Sequence, residues 1–224
     1  MKKCWCIPPK QNAAFVANME DVLDVYQREY DESCPVICMD EKPYQLLDES
    51  RQPIPMKPGK AFRYDSEYIR HGTCSIFIFT EPLQSWRKIF TSERRTKRDW
   101  AKLIAEILEV HYPRAAKVCF VMDNLNTHAI SSLYETFPPD RARALAKRME
   151  IHYTPKHGSW LNIAEIELSA MTSQCLRRRI PDIRTLASEL DAWNTVRNDS
   201  AVAVNWQFTN DDARIKLKGL YPDL

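Results

Sequence analysis

The chain has little glycine. It carries four glycines in 224 residues, where a usage of about 7% would give roughly sixteen. Gly59, Gly72, Gly158 and Gly219 stand apart from one another. A Rossmann or Walker-type loop needs two or three glycines within a few residues, because the backbone must bend sharply and approach a phosphate closely. A glycine-rich nucleotide cradle is therefore excluded, and any phosphate chemistry must use another device. Paired CxxC motifs are missing too. The seven cysteines are Cys4, Cys6, Cys34, Cys38, Cys74, Cys119 and Cys175, and Cys4 and Cys6 lie too close for a usual zinc pair. Cys38, Cys74 and Cys119 fall in apolar, strand-like runs and read as buried free thiols of a reducing compartment. No apolar run reaches the ~18 residues of a membrane helix, and the N-terminus lacks a signal-peptide core. No GxSxG, HExxH or EF-hand pattern occurs. A cytoplasmic protein is expected.

What is present describes a globular chain. Hydrophobic residues make up 44% and charged residues 28%, enough for one large domain. The net charge of +2 is only a slight pull toward a polyanion, although an acidic metal site would cancel basic surface elsewhere. Residues 1–10 read as the tail of a linker, and 11–28 carry apolar residues at helical spacing. Cys34 to Met39 is a short apolar run ending in Asp40, typical of a strand buried on both faces. The proline- and lysine-rich stretch 51–62 reads as a hairpin tip or loop, which could also reach DNA. Strands are expected at about 63–70, at 73–80 and at 86–91, the last antiparallel to its predecessor. A helix led by Thr96 or Asp99 follows, with Trp100, Leu103, Ile104, Ile107 and Leu108 on one face. Lys117 to Met122 repeats the earlier design and ends in Asp123. Helices at 128–136 and 140–149, a strand at 150–154, and helices at 161–176, 184–194 and 211–219 complete the chain. Strands alternating with helices predict an α/β layer fold with a mixed sheet.

Two buried strands that both finish Met-Asp suggest a pair of carboxylates. Laid side by side in parallel they would repel unless a cation sat between them. Oxygen-only ligands suit Mg²⁺ or Mn²⁺, and two such ions on shared carboxylates serve in-line displacement at phosphorus. The alternative is that Asp40 caps a turn and Asp123 opens a helix. A third acidic ligand should follow the third strand. There Leu161, Ala164, Leu168, Met171 and Cys175 form a core-facing stripe. Glu165 and Glu167 flank it on opposite sides, since two residues turn a helix by about 200°. They cannot both serve one cluster, and periodicity does not choose between them.

Three blocks carry a resemblance: Cys38-Met39-Asp40-Glu41-Lys42, Val121-Met122-Asp123-Asn124-Leu125-Asn126-Thr127-His128, and Pro155-Lys156-His157-Gly158-Ser159-Trp160-Leu161-Asn162-Ile163-Ala164-Glu165. In this order they resemble the catalytic blocks of the IS630 transposases within the Tc1/mariner group, as does the tail Asn205 to Thr209 with Asp212 to Arg214. The resemblance spans residue 31 to the end. It implies an RNase H-like mixed sheet flanked by helices and a DDE triad of Asp40, Asp123 and Glu165 holding Mg²⁺ or Mn²⁺, two ions in all. It implies cleavage at transposon ends and strand transfer into target DNA, at TA sites, by a homodimer on DNA in a nucleoid-associated setting. Residues 1–30 would be a linker remnant and helix, and 31–224 the catalytic domain. The family's N-terminal helix-turn-helix region is absent from this sequence, so a separately encoded half would recognise the ends. Between Asp123 and Glu165 lie 41 residues (165 − 123 − 1), several more than the family's usual spacing, and the surplus is expected around Pro138 to Lys147.

Asn124, Asn126, His128 and His157 are candidates to organise the site or touch DNA. Set against this, Asn126 or Thr127 could cap a helix, and His157 could be a turn residue. Basic clusters at 94–98, 141–148 and 177–179 could hold phosphates without reading sequence, or be solvated faces. Two rivals remain: an RNase H-like nuclease without strand transfer, and an inactive DNA-binding remnant. Gly158, in the turn before the helix of Glu165, is expected to position that helix.

Overall fold

The structure is a computed structural model that describes residues 10–222, so the linker-like stretch 1–9 lies outside the described residues. Five strands form one mixed sheet in the order β3-β2-β1-β4-β5: β1 (Val36–Glu49), β2 (Tyr68–Glu81), β3 (Trp86–Ser92), β4 (Val118–Met122) and β5 (Met149–Tyr153). β1, β2 and β3 pair antiparallel, while β4 runs parallel to both β1 and β5. Seven α-helices cover the sheet: α1 (Ala13–Tyr26), α2 (Lys97–Glu106), α3 (Ile130–Tyr134), α4 (Pro139–Lys147), α5 (Ala164–Gln174), α6 (Ile183–Asp199) and α7 (Asn210–Lys216).

Alternation along the strands sorts the core into two layers. Ile37, Met39, Phe77, Phe79, Val118, Phe120 and Met122 face one side and pack with Trp100 and Ile104 of α2, Leu133 of α3 and Leu145 of α4. Cys38, Ile76, Ile78, Cys119 and Val121 face the other, with Met19 and Leu23 of α1, Leu168 and Met171 of α5, Leu186 of α6 and Ala213 of α7. Continuous apolar runs such as Val118 to Met122, all buried, follow from helices on both faces. α2 opens with a capping box in which Thr96 and Asp99 each satisfy the other's backbone, so the two expected caps act together.

Three expectations are corrected. β1 does not stop at Asp40 but runs on to Glu49. β4 pairs only with Val36 to Cys38, and beyond that point β1 is held by β2 alone, which also accommodates Pro43 inside a strand. Residues 63–67 are not strand, since β2 begins at Tyr68 and the stretch before it holds isolated bridges, Ile54–Arg63 and Lys57–Lys60. Lastly, α3 starts at Ile130 with no side-chain cap, so neither Asn126 nor Thr127 caps it. Asn126 and Thr127 lie instead in a turn closed by the His128 amide donating to the Leu125 carbonyl at 2.9 Å, Ala129 is extended, and the Ser132 hydroxyl donates back to the Thr127 carbonyl at 2.9 Å.

Candidate active site

The sheet brings Asp40 and Asp123 to the same level. Cys38 is the partner of Val121 in the parallel ladder, so two residues further along each strand fall Asp40 and Asp123. Their parity also puts both on the α5 side of the sheet. Asp40 sits inside β1, just past the last residue paired with β4, and Asp123 follows the end of β4. This is where a parallel pair splays and its side chains can face a common space.

α5 supplies the third carboxylate, and its start is fixed by two buried contacts. Asn162 donates to the Met39 carbonyl at 2.9 Å and accepts from the Ala164 amide at 3.1 Å. The Tyr26 hydroxyl of α1 donates to the Leu161 carbonyl at 2.8 Å. Asn162 is 1% exposed and ties α5 to the strand residue next to Asp40. The sequence offered only a polar residue ahead of an apolar stripe, so its positioning role was not legible.

The helix separates its two glutamates. Glu167 is fully buried between Arg87 of β3 (2.9 Å) and Arg197 of α6 (3.0 Å). Burial alone would raise its pKa, but the two guanidiniums hold the carboxyl below the usual range. Glu165 is exposed and lines a groove of about 600 Å³ with Glu41, Lys42 and Arg177. The two residues thus part company, Glu165 toward Asp40 and Glu167 into a structural ion cluster.

Asp40 registers its neighbours. Burial, then the charges of Glu165 and Asp123, push its carboxyl up to about 7, against one opposing hydrogen bond from the Glu41 amide. A carboxylate set that penalises its own charge fits a divalent cation with hard oxygen ligands. The three carboxylates do not close as tightly as a single-ion cage. Among the described residues, the only trio whose ligand atoms all lie within 4.8 Å of one another is Cys119, Glu150 and His152. That trio already has a cation, because Arg28 Nη1 sits 2.7 Å from Glu150 Oε1 and 3.7 Å from Cys119 Sγ.

His128 is buried, with Nδ1 2.6 Å from Asp123 Oδ1 and Nε2 3.7 Å from Glu41 Oε2. Burial disfavours its charge, yet the two carboxylates prevail and raise its pKa to about 9. Asn124 and Asn126 are exposed on the loop after β4. Asn124 lines a second cavity, of about 670 Å³, with Asp123, Lys156 and His157. His157 is exposed and left-handed at φ 66°.

The turn ahead of α5 explains its glycine differently from a backbone-freedom argument. Gly158 has φ −112°, open to any residue. A Cβ there would lie 2.5 Å from Pro155 Cγ and 3.0 Å from the Pro155 carbonyl oxygen. Gly158→Ala is expected to cost about 1–3 kcal/mol through this overlap and to lower activity by shifting α5. Chemical denaturation would check it, and unchanged stability would show that the turn can give way.

The basic clusters are partly spent on structure. Arg148 donates to the carbonyls of Leu108, Tyr112 and Ala115, and Arg141 pairs with Glu109. Arg179 binds Glu49 and three carbonyls of residues 65–67. Arg177 remains exposed beside Glu165.

A family profile described as DDE superfamily endonuclease matches residues 35–187. Curated protein sequences give no match. Among solved structures, the chain is similar to the Mos1 strand transfer complex, with TM-score 0.65 and 14% identity over 100% of this chain and 67% of that one. It is similar to the mariner Mos1 paired-end complex with Mg, with TM-score 0.62 and 16% identity over 100% and 68%. The Mos1 mariner transposase catalytic domain aligns with TM-score 0.59 and 12% identity, over 97% of this chain and all of that one. These likenesses establish an RNase H-like fold, as expected from the sequence.

Proposed function

The chain belongs to the DDE superfamily of endonucleases, and on that premise we propose that it is a transposase catalytic domain of the IS630 type. Asp40, Asp123 and Glu165 are its catalytic carboxylates and hold Mg²⁺ or Mn²⁺. When bound, two such ions prepare the attacking oxygen and stabilise the leaving oxygen of an in-line displacement at phosphorus. The observation that carries the reading is Asp40, held near pH 7 for its proton by burial and by the charges of Glu165 and Asp123.

The chain's own residues have separable tasks. Asp40 sheds its proton when a cation arrives. Asn162 and Tyr26 keep the first turn of α5, and with it Glu165, against β1. Lys42 and Arg177 on one side of the carboxylates, and Lys156 and His157 on the other, line grooves in which a DNA strand's phosphates would lie. Water or a 3′-hydroxyl attacks the phosphorus, the bond to the leaving oxygen breaks, and the proton passes to solvent. The substrates are transposon ends and a TA-containing target, worked on by a homodimer.

The test is joining of a labelled duplex with a recessed 3′-hydroxyl to a supercoiled, TA-rich plasmid in Mn²⁺. Joined product that disappears in Asp123→Asn is expected. Nicking without joining would replace the reading with a nuclease. Neither activity in the wild-type chain would leave an inactive remnant.

A further inference from the structure

A line of alternating charges runs from the surface to Asp123. Arg95 Nη1 donates to Glu41 Oε1 at 2.8 Å, Glu41 Oε2 lies 3.7 Å from His128 Nε2, and His128 Nδ1 lies 2.6 Å from Asp123 Oδ1. Exposure falls along it, from 57% for the Arg95 side chain to 4% for Glu41 and none for His128. The imidazole is fixed by its other neighbours as well. It stacks on the buried Trp100 of α2, with centroids 5.8 Å apart. The Tyr153 hydroxyl of β5 donates to its carbonyl at 2.7 Å. A ring this enclosed cannot reach DNA, so it can act only through the groups it touches.

We propose that His128, backed by Glu41 and Arg95, is a positioning residue that holds Oδ1 of Asp123 and so leaves Oδ2 as the oxygen offered to a divalent ion. The inference rests on the reading of Asp123 as a metal ligand. A free aspartate at the end of a strand rotates about two side-chain bonds, and an ion must then select the productive rotamer. An imidazole nitrogen fixed 2.6 Å from one oxygen by its own packing removes that search. Glu41 gives the ring its second carboxylate and is itself steadied by Arg95. Glu41, one residue after Asp40, has its carboxylate engaged by Arg95 and His128.

Metal affinity and cleavage kinetics test the idea together, with free Mn²⁺ read by electron paramagnetic resonance. His128→Ala is expected to lose about 10–100-fold in Mn²⁺ affinity and in kcat, with KM for the DNA duplex changed by less than about twofold. His128→Asn, whose amide nitrogen overlaps Nδ1, should recover part of both losses. Glu41→Gln should show a smaller loss of the same kind. Asp123→Asn separates the two levels. If Asp123→Asn leaves metal-dependent cleavage intact, the functional reading itself fails. If it abolishes cleavage while His128→Ala and Glu41→Gln keep wild-type Mn²⁺ affinity and kcat, the positioning role is overturned alone. Equal losses in folded His128→Ala and His128→Asn would likewise overturn it in favour of packing. Should His128→Ala not fold, His128→Asn and Glu41→Gln decide the matter.

Discussion

Glu167→Gln is expected to destabilise the protein by about 3–5 kcal/mol, whereas Glu165→Gln is expected to stay within about 0.5 kcal/mol of wild type and to lose cleavage. The two residues are neighbours on one helix and differ in what they face. Glu167 neutralises Arg87, whose side chain is entirely buried. Arg87 also donates to the carbonyls of Ser85 and Val202, so the guanidinium cannot leave. Removing the carboxylate charge strands a cation in the core. The pH dependence has a definite sign. Glu167 is depressed below its ordinary 4.5, so its stabilisation is present above about that pH and is lost as the pH falls further. Glu167→Gln should flatten this acid limb of the stability curve, while Glu165→Gln should not alter it. Urea denaturation of both variants between pH 3 and 7, beside a cleavage assay, is the check. Destabilisation of equal size in the two variants would overturn the division of roles.

Asp40→Asn is expected to make the metal-free protein more stable and the protein with Mg²⁺ inactive. The fold favours the protonated form of Asp40, which titrates at about 7 rather than 3.8. Stability tied to that proton is complete below pH 3.8 and is lost as the pH rises through 7. At pH 8 the metal-free wild type therefore carries a buried, repelled carboxylate, a cost on the order of a few kcal/mol. Asparagine has no charge to lose and escapes the cost. Mg²⁺ should raise the melting temperature of the wild type at pH 8 and leave Asp40→Asn unmoved. In the same way, Mg²⁺ affinity of the wild type should weaken as the pH drops below 7, because the cation must displace a proton. A metal-free Asp40→Asn protein that melts below wild type at pH 8 would contradict this account.

Much of this was legible in the sequence, for identifiable reasons. Runs such as Val118 to Met122 are apolar on both faces because helices cover both sides of the sheet, so strand and layer follow from composition. The repeated Met-Asp ending marked where two parallel strands part. Strand length was not legible, since β1 keeps one partner after it loses the other and the polar residues beyond Asp40 carry no sign of that. Periodicity could not separate Glu165 from Glu167; the resemblance chose Glu165, and the physical reason, that Arg87 and Arg197 meet at Glu167, involves residues 80 and 30 positions away. Asn162 escaped notice because its partner is a backbone carbonyl, which leaves no trace in side-chain chemistry. Gly158 reads from the sequence as a residue that positions α5, but the crowding by Pro155 that requires a glycine there depends on how the turn folds back.

α3 and α4, between Asp123 and Glu165 in the chain, lie on the far side of the sheet from α5. α3 and α4 pack against Trp100, Phe120 and Met149, while the three carboxylates and α5 belong to the other layer. Lengthening the connection between α3 and α4 therefore leaves the layer that packs α5 as it is. The exposed Pro138 between α3 and α4 is in this sense a neutral port. A fluorescent protein or a programmable DNA-binding module spliced there would sit behind the blade rather than on its edge.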